Sequence, residues 1–126
     1  MVAERKVVVH IEDEPEMIRL ARLILRKKGF SLIGAKDGLE GLEVVRTVKP
    51  DLVLLDLMMP KMDGWDVYRE LKAEAELKDI PVIVLTVKKR AEDKSKVLAT
   101  VQDYLTKPFK VQALLQSVCT VLGVPF

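Results

Sequence analysis

Five polar side chains follow short apolar stretches of this 126-residue sequence, at positions where buried strands would end. They are Glu12, Asp13, Asp56, Thr86 and Lys107. Carboxylates that meet at one site repel one another, and a divalent cation such as Mg²⁺ relieves that repulsion. A carboxylate is also a nucleophile, and a hydroxyl and an ammonium can bind a phosphoryl group that it has accepted. The combination, more than any single residue, predicts a magnesium site with phosphoryl chemistry.

The composition restricts which metal such a site would hold. The chain has one histidine, His10, and one cysteine, Cys119, so it cannot supply two imidazoles, a cysteine-based zinc site or an internal disulfide. Carboxylate and carbonyl oxygens must therefore hold any metal, which favours a hard cation such as magnesium or calcium. We expect both residues to be structural, His10 within a strand and Cys119 packed on the last helix.

Charge and hydropathy exclude further classes of protein. The net charge of +2 is too small to indicate a nucleic-acid-binding protein, and no stretch approaches the ~18 apolar residues of a membrane span. The N-terminus has no signal-peptide pattern, so we expect a cytoplasmic protein without membrane insertion. Residues 88–126 carry seven basic and three acidic side chains. This segment is a candidate docking surface for an acidic partner, although the same excess is typical of a solvated helix surface.

Some of the polar residues also have ordinary structural explanations. Asp13 stands where a helix N-cap is expected, and Thr86 where a turn would follow a strand. Asp56 closes an apolar run and precedes Leu57, so its charge would be buried and must be compensated by a cation or a donor. Lys107 stands just before a helix, whose N-terminal dipole favours anions. Its position is better explained if it faces an anion.

The elements that must position these residues follow from two alternating sequence periods. Short apolar runs predict buried parallel strands, and they lie at residues 6–11, 31–35, 52–55, 81–85 and 101–105. Amphipathic helices are predicted between and after them, with the first burying Met17, Leu20, Ala21 and Ile24 and the last burying Val111, Leu114, Leu115, Val118 and Leu122. Five such βα units make a doubly wound sheet, whose ligands bind beyond the carboxyl ends of the strands.

The chain also resembles a known family over about residues 5–122. Four segments match those of response regulator receiver domains in order and spacing: 12–15 (EDEP), 50–64 (PDLVLLDLMMPKMDG), 82–86 (VIVLT) and 103–109 (DYLTKPF). The resemblance implies a flavodoxin-like, CheY-like α/β fold, a doubly wound five-stranded parallel sheet of order 2-1-3-4-5 with five helices. It also implies a single receiver domain over residues 1–126, stand-alone or excised from a longer protein.

The resemblance implies a role for each candidate residue at the phosphorylation site. Asp56 would accept a phosphoryl group from a histidine of a partner kinase. Glu12, Asp13 and Asp56, with the backbone carbonyl of Met58, would hold Mg²⁺ beside it. Lys107 would pair with the phosphoryl group, and the Lys107–Pro108 peptide bond is expected to be cis.

Two further residues would carry the response of the domain. Thr86 would hydrogen-bond the phosphoryl group, and Tyr104 matches the aromatic switch position of the family. The resemblance therefore implies a phosphorylation-dependent switch of a two-component phosphorelay, which promotes its own phosphorylation and dephosphorylation without being a metabolic enzyme. Its partners would be a sensor histidine kinase or phosphotransfer protein and a downstream protein target. The target would dock on the helix between strands four and five, the fifth strand and the last helix. We expect a monomer or weak dimer that makes no direct contact with nucleic acid.

Two alternatives remain open at this point. A receiver-like interaction module that works without phosphorylation is favoured by Glu12, where Asp is more frequent, and by Val87, where a small Ala is more usual. An aspartyl-phosphate hydrolase on a related fold would need a second acid two residues after its nucleophile, and that position is Met58. The complete set of Asp13, Asp56, Thr86 and Lys107 favours the switch.

Overall fold

Nine helices and strands alternate along the chain in the computed structural model, which describes residues 5–59, 62–87 and 103–126. They are β1 (Val7–Ile11), α1 (Pro15–Arg26), β2 (Ser31–Ala35), α2 (Gly38–Val48), β3 (Leu52–Asp56), α3 (Gly64–Ala73), β4 (Val82–Val87), β5 (Asp103–Lys107) and α4 (Val111–Leu122). The helix predicted between β4 and β5, with the basic run at 88–96, lies outside the described residues. The other four predicted helices are present.

The five strands form one parallel sheet of order β2-β1-β3-β4-β5, which confirms the predicted fold. The central strand β3 is buried along its whole length. A strand in that position packs helices on both faces, which explains why its residues are apolar without alternation. None of the described helices is long and apolar enough to cross a membrane.

Two hydrophobic cores lie on opposite faces of the sheet. Val53 and Leu55 of β3 face the core that includes residues of α2 and α3, and Leu52 and Leu54 face the core that includes residues of α1 and α4. The alternation follows from the two-residue period of a strand. Cys119 is buried in the second core, which confirms its packing role.

The strand ends differ from the predicted ones. Strand β5 continues to Lys107, two residues beyond the end of the run predicted at 101–105, and the predicted strand ends at Leu55 and Leu85 lie one and two residues too early. The reason is that a parallel ladder is made by backbone groups and continues through polar residues. Asp56 pairs with Leu85, and Val87 pairs with Lys107.

The predicted buried faces of two helices also need correction. Leu20 of α1 is 41% exposed and Val111 of α4 is 45% exposed. On α1 the buried residues are Ala21, Ile24 and Leu25, so its inward face is rotated relative to the predicted one. The helical period allows both faces, and only packing against the sheet selects between them.

The beginning of α3 is packed tightly against the end of β3. Asp63 caps the helix by accepting a hydrogen bond from the backbone N–H of Trp65 at 2.6 Å, and the Gly64 N–H donates to the Leu57 carbonyl at 3.1 Å. A Cβ atom at Gly64 would lie 2.4 Å from the Asp56 carbonyl oxygen and 2.5 Å from the Leu57 Cα. Only glycine therefore permits this close approach of two backbones.

We expect Gly64→Ala to lower the free energy of unfolding by ~1–3 kcal/mol, because backbone atoms cannot yield to the added methyl group. Urea titration would measure the loss. Gly34→Ala is a matched control: its added Cβ would lie 2.6 Å from Cγ2 of Ile18, a partly buried side chain that can turn away. Equal losses in the two variants would contradict the explanation.

Candidate functional site

The carboxyl ends of three strands bring together one ammonium and two buried carboxylates. Lys107, the last residue of β5, places its Nζ 2.7 Å from Oε1 of Glu12 and 3.2 Å from Oδ2 of Asp56. Glu12 follows β1 directly, and Asp56 ends β3. Residues 95 positions apart in the sequence thus meet at one edge of the sheet.

Backbone donors hold both carboxylates in place. The Met58 N–H donates to Oδ1 of Asp56 at 3.0 Å, and the Glu14 N–H donates to Oε2 of Glu12 at 3.3 Å. Each buried carboxylate therefore has one oxygen bound by the backbone and the other by Lys107. Both side chains are oriented before any ligand arrives.

The third acid completes a cluster of oxygen ligands. One carboxylate oxygen from each of Glu12, Asp13 and Asp56 lies within 4.8 Å of the others. Asp13 is the least buried of the three and gives the cluster its opening to solvent. Ligand oxygens bound to one Mg²⁺ or Ca²⁺ are separated by up to about 4–5 Å. The donor set and its spacing therefore fit a hard divalent cation, as the composition predicts.

Burial makes the negative charge of this cluster unfavourable. Desolvation raises the pKa of Asp56 above its usual value, against the opposing charge of Lys107 and the hydrogen bond from Met58. Desolvation also raises the pKa of Glu12 to about 7, although the hydrogen bond from Lys107 lowers it. For Lys107, burial alone would lower the pKa, but Glu12 and Asp56 together raise it. The ammonium of Lys107 is thus shared between two buried acids, and the site keeps an excess of negative charge when both acids are ionised.

The two predicted switch residues lie on neighbouring strands. Thr86 belongs to β4 and pairs with Thr106 of β5, while its side chain falls outside the description. Tyr104 of β5 pairs with Val84, is partly buried and packs against the core that includes α2 and α3. The Lys107–Pro108 peptide bond is cis, as predicted.

The geometry adds two features that were not predicted from the sequence. Lys107 was expected to face a phosphoryl group, and here it binds Glu12 as well as Asp56. His10, expected to be purely structural, places its Nε2 3.8 Å from Oε1 of Glu12. The contact between His10 and Glu12 could have been predicted from the two-residue period of a strand, because residues two apart share one face.

A family model described as the response regulator receiver domain matches residues 8–119. The chain belongs to this family. Receiver domains are signalling modules, and the curated relatives of this receiver domain include response regulators and histidine kinases. The family shows the class of protein, and the role of each site residue in this chain is a proposal.

Relatives of this receiver domain occur within longer proteins. The chain is 37% identical to the DNA-binding response regulator MtrA of Mycolicibacterium smegmatis, covering 90% of the chain and 49% of that protein. It is 34% identical to the hybrid signal transduction histidine kinase D of Dictyostelium discoideum, covering 96% of the chain and 8% of that protein. The receiver domain thus spans half or less of these proteins.

A solved structure supports the description of the site. The receiver domain of the sensor histidine kinase PA1611 from Pseudomonas aeruginosa is 26% identical, with a TM-score of 0.85, and covers 95% of this chain and 99% of that one. That structure has a magnesium ion coordinated in its active-site cleft. The acidic cluster of this chain lies at the carboxyl ends of β1 and β3.

We expect Asp56→Asn to raise the free energy of unfolding by about 1 kcal/mol in Mg²⁺-free buffer, because it leaves one buried carboxylate for one ammonium. Mg²⁺ should then stabilise the wild type and have little effect on the variant. Urea titration with and without Mg²⁺ measures both effects. Asp66→Asn, at an exposed position on α3, is the control and should change stability by less than ~0.5 kcal/mol. A less stable Asp56→Asn protein with an undiminished response to Mg²⁺ would contradict the interpretation.

Proposed function

We propose that this receiver domain is a phosphorylation-dependent switch that accepts a phosphoryl group on Asp56 from a phosphohistidine of a partner protein. The observation that carries the proposal is the contact between Oδ2 of Asp56 and Nζ of Lys107, which are 3.2 Å apart. Asp56 also belongs to the carboxylate cluster that fits a divalent cation. Phosphoryl transfer requires a nucleophile, a fixed positive charge and a metal site next to one another. Asp56, Lys107 and the carboxylate cluster can supply these three parts.

The side chains divide the work of the transfer. A carboxylate oxygen of Asp56 attacks phosphorus, so a P–O bond forms as the P–N bond to the donor histidine breaks. Lys107 stabilises the charge on the transferring group, since it stays protonated beside Glu12 and Asp56. Glu12, Asp13 and Asp56, with the Met58 carbonyl, would hold Mg²⁺, which would offset negative charge on the phosphoryl oxygens. The protein supplies position and charge, and the nucleophile is already desolvated.

The response follows from what the new phosphoryl group attracts. It adds negative charge at the end of β3, next to β4 and one strand from β5. Lys107 turns from Asp56 toward it, Thr86 donates to it from β4, and Tyr104 of β5 follows the movement of that neighbouring strand. Two conformations of the surface that includes β5 and α4 thereby change in population. A downstream protein target that prefers one of them reads the signal.

Phosphorylation by a small donor tests the proposal without the partner kinase. With Mg²⁺ and acetyl phosphate, we expect the intact mass of the wild type to increase by one phosphoryl group, and this increase should disappear when Mg²⁺ is removed. Asp56→Asn is the matched variant and should remain unmodified because an amide is a poor nucleophile.

Two results would contradict the proposal and support a different function. A folded wild type that never forms the adduct would support a receiver-like interaction module that works without phosphorylation. Catalytic release of phosphate from an external phosphoester would instead support an aspartyl-phosphate hydrolase.

We expect Thr86→Ala to form the adduct but to transmit it poorly, because the hydroxyl couples the phosphoryl group to β4. Backbone amide shifts on phosphorylation, measured by NMR at residues 88–104, should be much smaller in Thr86→Ala than in the wild type. Thr106→Ala, on the paired position of β5, is the control and should keep most of the shifts. Identical shifts in the wild type and in Thr86→Ala would show that the coupling follows another route.

A further inference from the structure

His10 is a buried polar residue that the proposed phosphoryl chemistry does not use. It lies in the centre of the sheet, paired with Gly34 of β2 and Leu54 of β3, and is fully buried. Within the described part of the chain, neither of its ring nitrogens has a hydrogen-bond partner. Buried polar groups without partners are rare and unfavourable. An apolar side chain would fold better at this position, so packing alone does not explain the histidine.

The polar group that His10 approaches is the buried carboxylate of Glu12. His10 and Glu12 are two residues apart and point to the same face of the sheet, which places Nε2 3.8 Å from Oε1. The same Oε1 accepts the hydrogen bond from Lys107 at 2.7 Å, while Oε2 accepts from the Glu14 N–H. Two side chains that can donate therefore converge on one oxygen, and Lys107 is the nearer.

His10 can donate because an imidazole keeps at least one ring proton in either of its charge states. Within the described residues, nothing on the Nδ1 side fixes a proton there, whereas the Glu12 carboxylate on the other side favours a proton on Nε2. The distance of 3.8 Å is too long for a hydrogen bond, and a movement of less than ~1 Å would form one.

We infer that His10 is a positioning residue for Glu12, whose Nε2–H becomes the donor to Oε1 when Lys107 turns toward a phosphoryl group. Without such a donor, Oε1 would be left buried and unpaired, and the Glu12 side chain would turn away from the metal site. The movement of Lys107 rests on the proposed function. The orientation of Glu12 affects Mg²⁺ binding before any phosphoryl transfer, because partners of a ligating group set its geometry.

Two variants of His10 separate positioning from packing. His10→Leu has a comparable volume and no donor, whereas the side-chain amide of His10→Gln can donate from about the same place as Nε2. We expect His10→Leu to be at least as stable as the wild type in urea and, in the Lys107→Met background where His10 alone is left to donate to Oε1, to lower the Mg²⁺ affinity about 10-fold by calorimetry. His10→Gln should recover most of the affinity. A less stable His10→Leu protein with unchanged Mg²⁺ affinity would show that the residue only packs.

The single histidine of the chain permits a direct spectroscopic test. A long-range ¹H–¹⁵N NMR spectrum contains one imidazole, and we expect its proton on Nε2. In Lys107→Met the Nε2 proton should shift downfield as the hydrogen bond to Glu12 shortens. A proton on Nδ1, or an imidazole unaffected by loss of Lys107, would overturn the inference. These measurements need no adduct, so a failure of the proposed function, seen as an unmodified Asp56, is recognised separately.

Discussion

The ammonium of Lys107 is the one positive charge in contact with the two buried carboxylates of Glu12 and Asp56, within the described part of the chain. Buried acids are tolerated only with a cation or with several hydrogen-bond donors, and here each acid has Lys107 and one backbone N–H. This contact joins the ends of β1, β3 and β5 at one edge of the sheet. These partners compensate the burial of the two carboxylates. The single ammonium still leaves the site with more negative than positive charge when both acids are ionised.

The topology explains why these residues meet. In the order β2-β1-β3-β4-β5 every strand runs in the same direction, so all carboxyl ends open on one edge. Asp56 stands on the central strand, and the flexible stem of Lys107 crosses the width of β4 to reach it. At the beginning of α3, Gly64 lets the helix approach the backbone of Asp56 within a distance that no side chain allows. The position of Asp56 therefore depends on packing on both sides of β3.

Much of this arrangement could be predicted from the sequence, because it depends on local signals. Continuous apolar runs identify a parallel sheet buried on both faces. An acid or a lysine at the end of such a run is energetically unfavourable unless it has a partner of opposite charge or a hydrogen-bond partner. The last residue of β5 and the exposed position of Leu20 could not be predicted, since register and helix rotation are decided by neighbours distant in sequence. The contact of Lys107 with Glu12 was missed for a similar reason: a flexible lysine chooses its partner in three dimensions.

The charge balance shows why the same site can work as a switch. Three carboxylates, one ammonium and one divalent cation carry no net charge together, so the metal-bound form is the balanced one. A phosphoryl group on Asp56 replaces one negative charge by about two at neutral pH, and the balance is lost again. Among the described residues the cation in contact with Asp56 is Lys107, and a movement of its ammonium toward the phosphoryl group would remove a donor from Glu12. A buried carboxylate that loses its cation must find another donor or rearrange. His10, with its Nε2 3.8 Å from Oε1 of Glu12, is the side chain that we infer to be that donor.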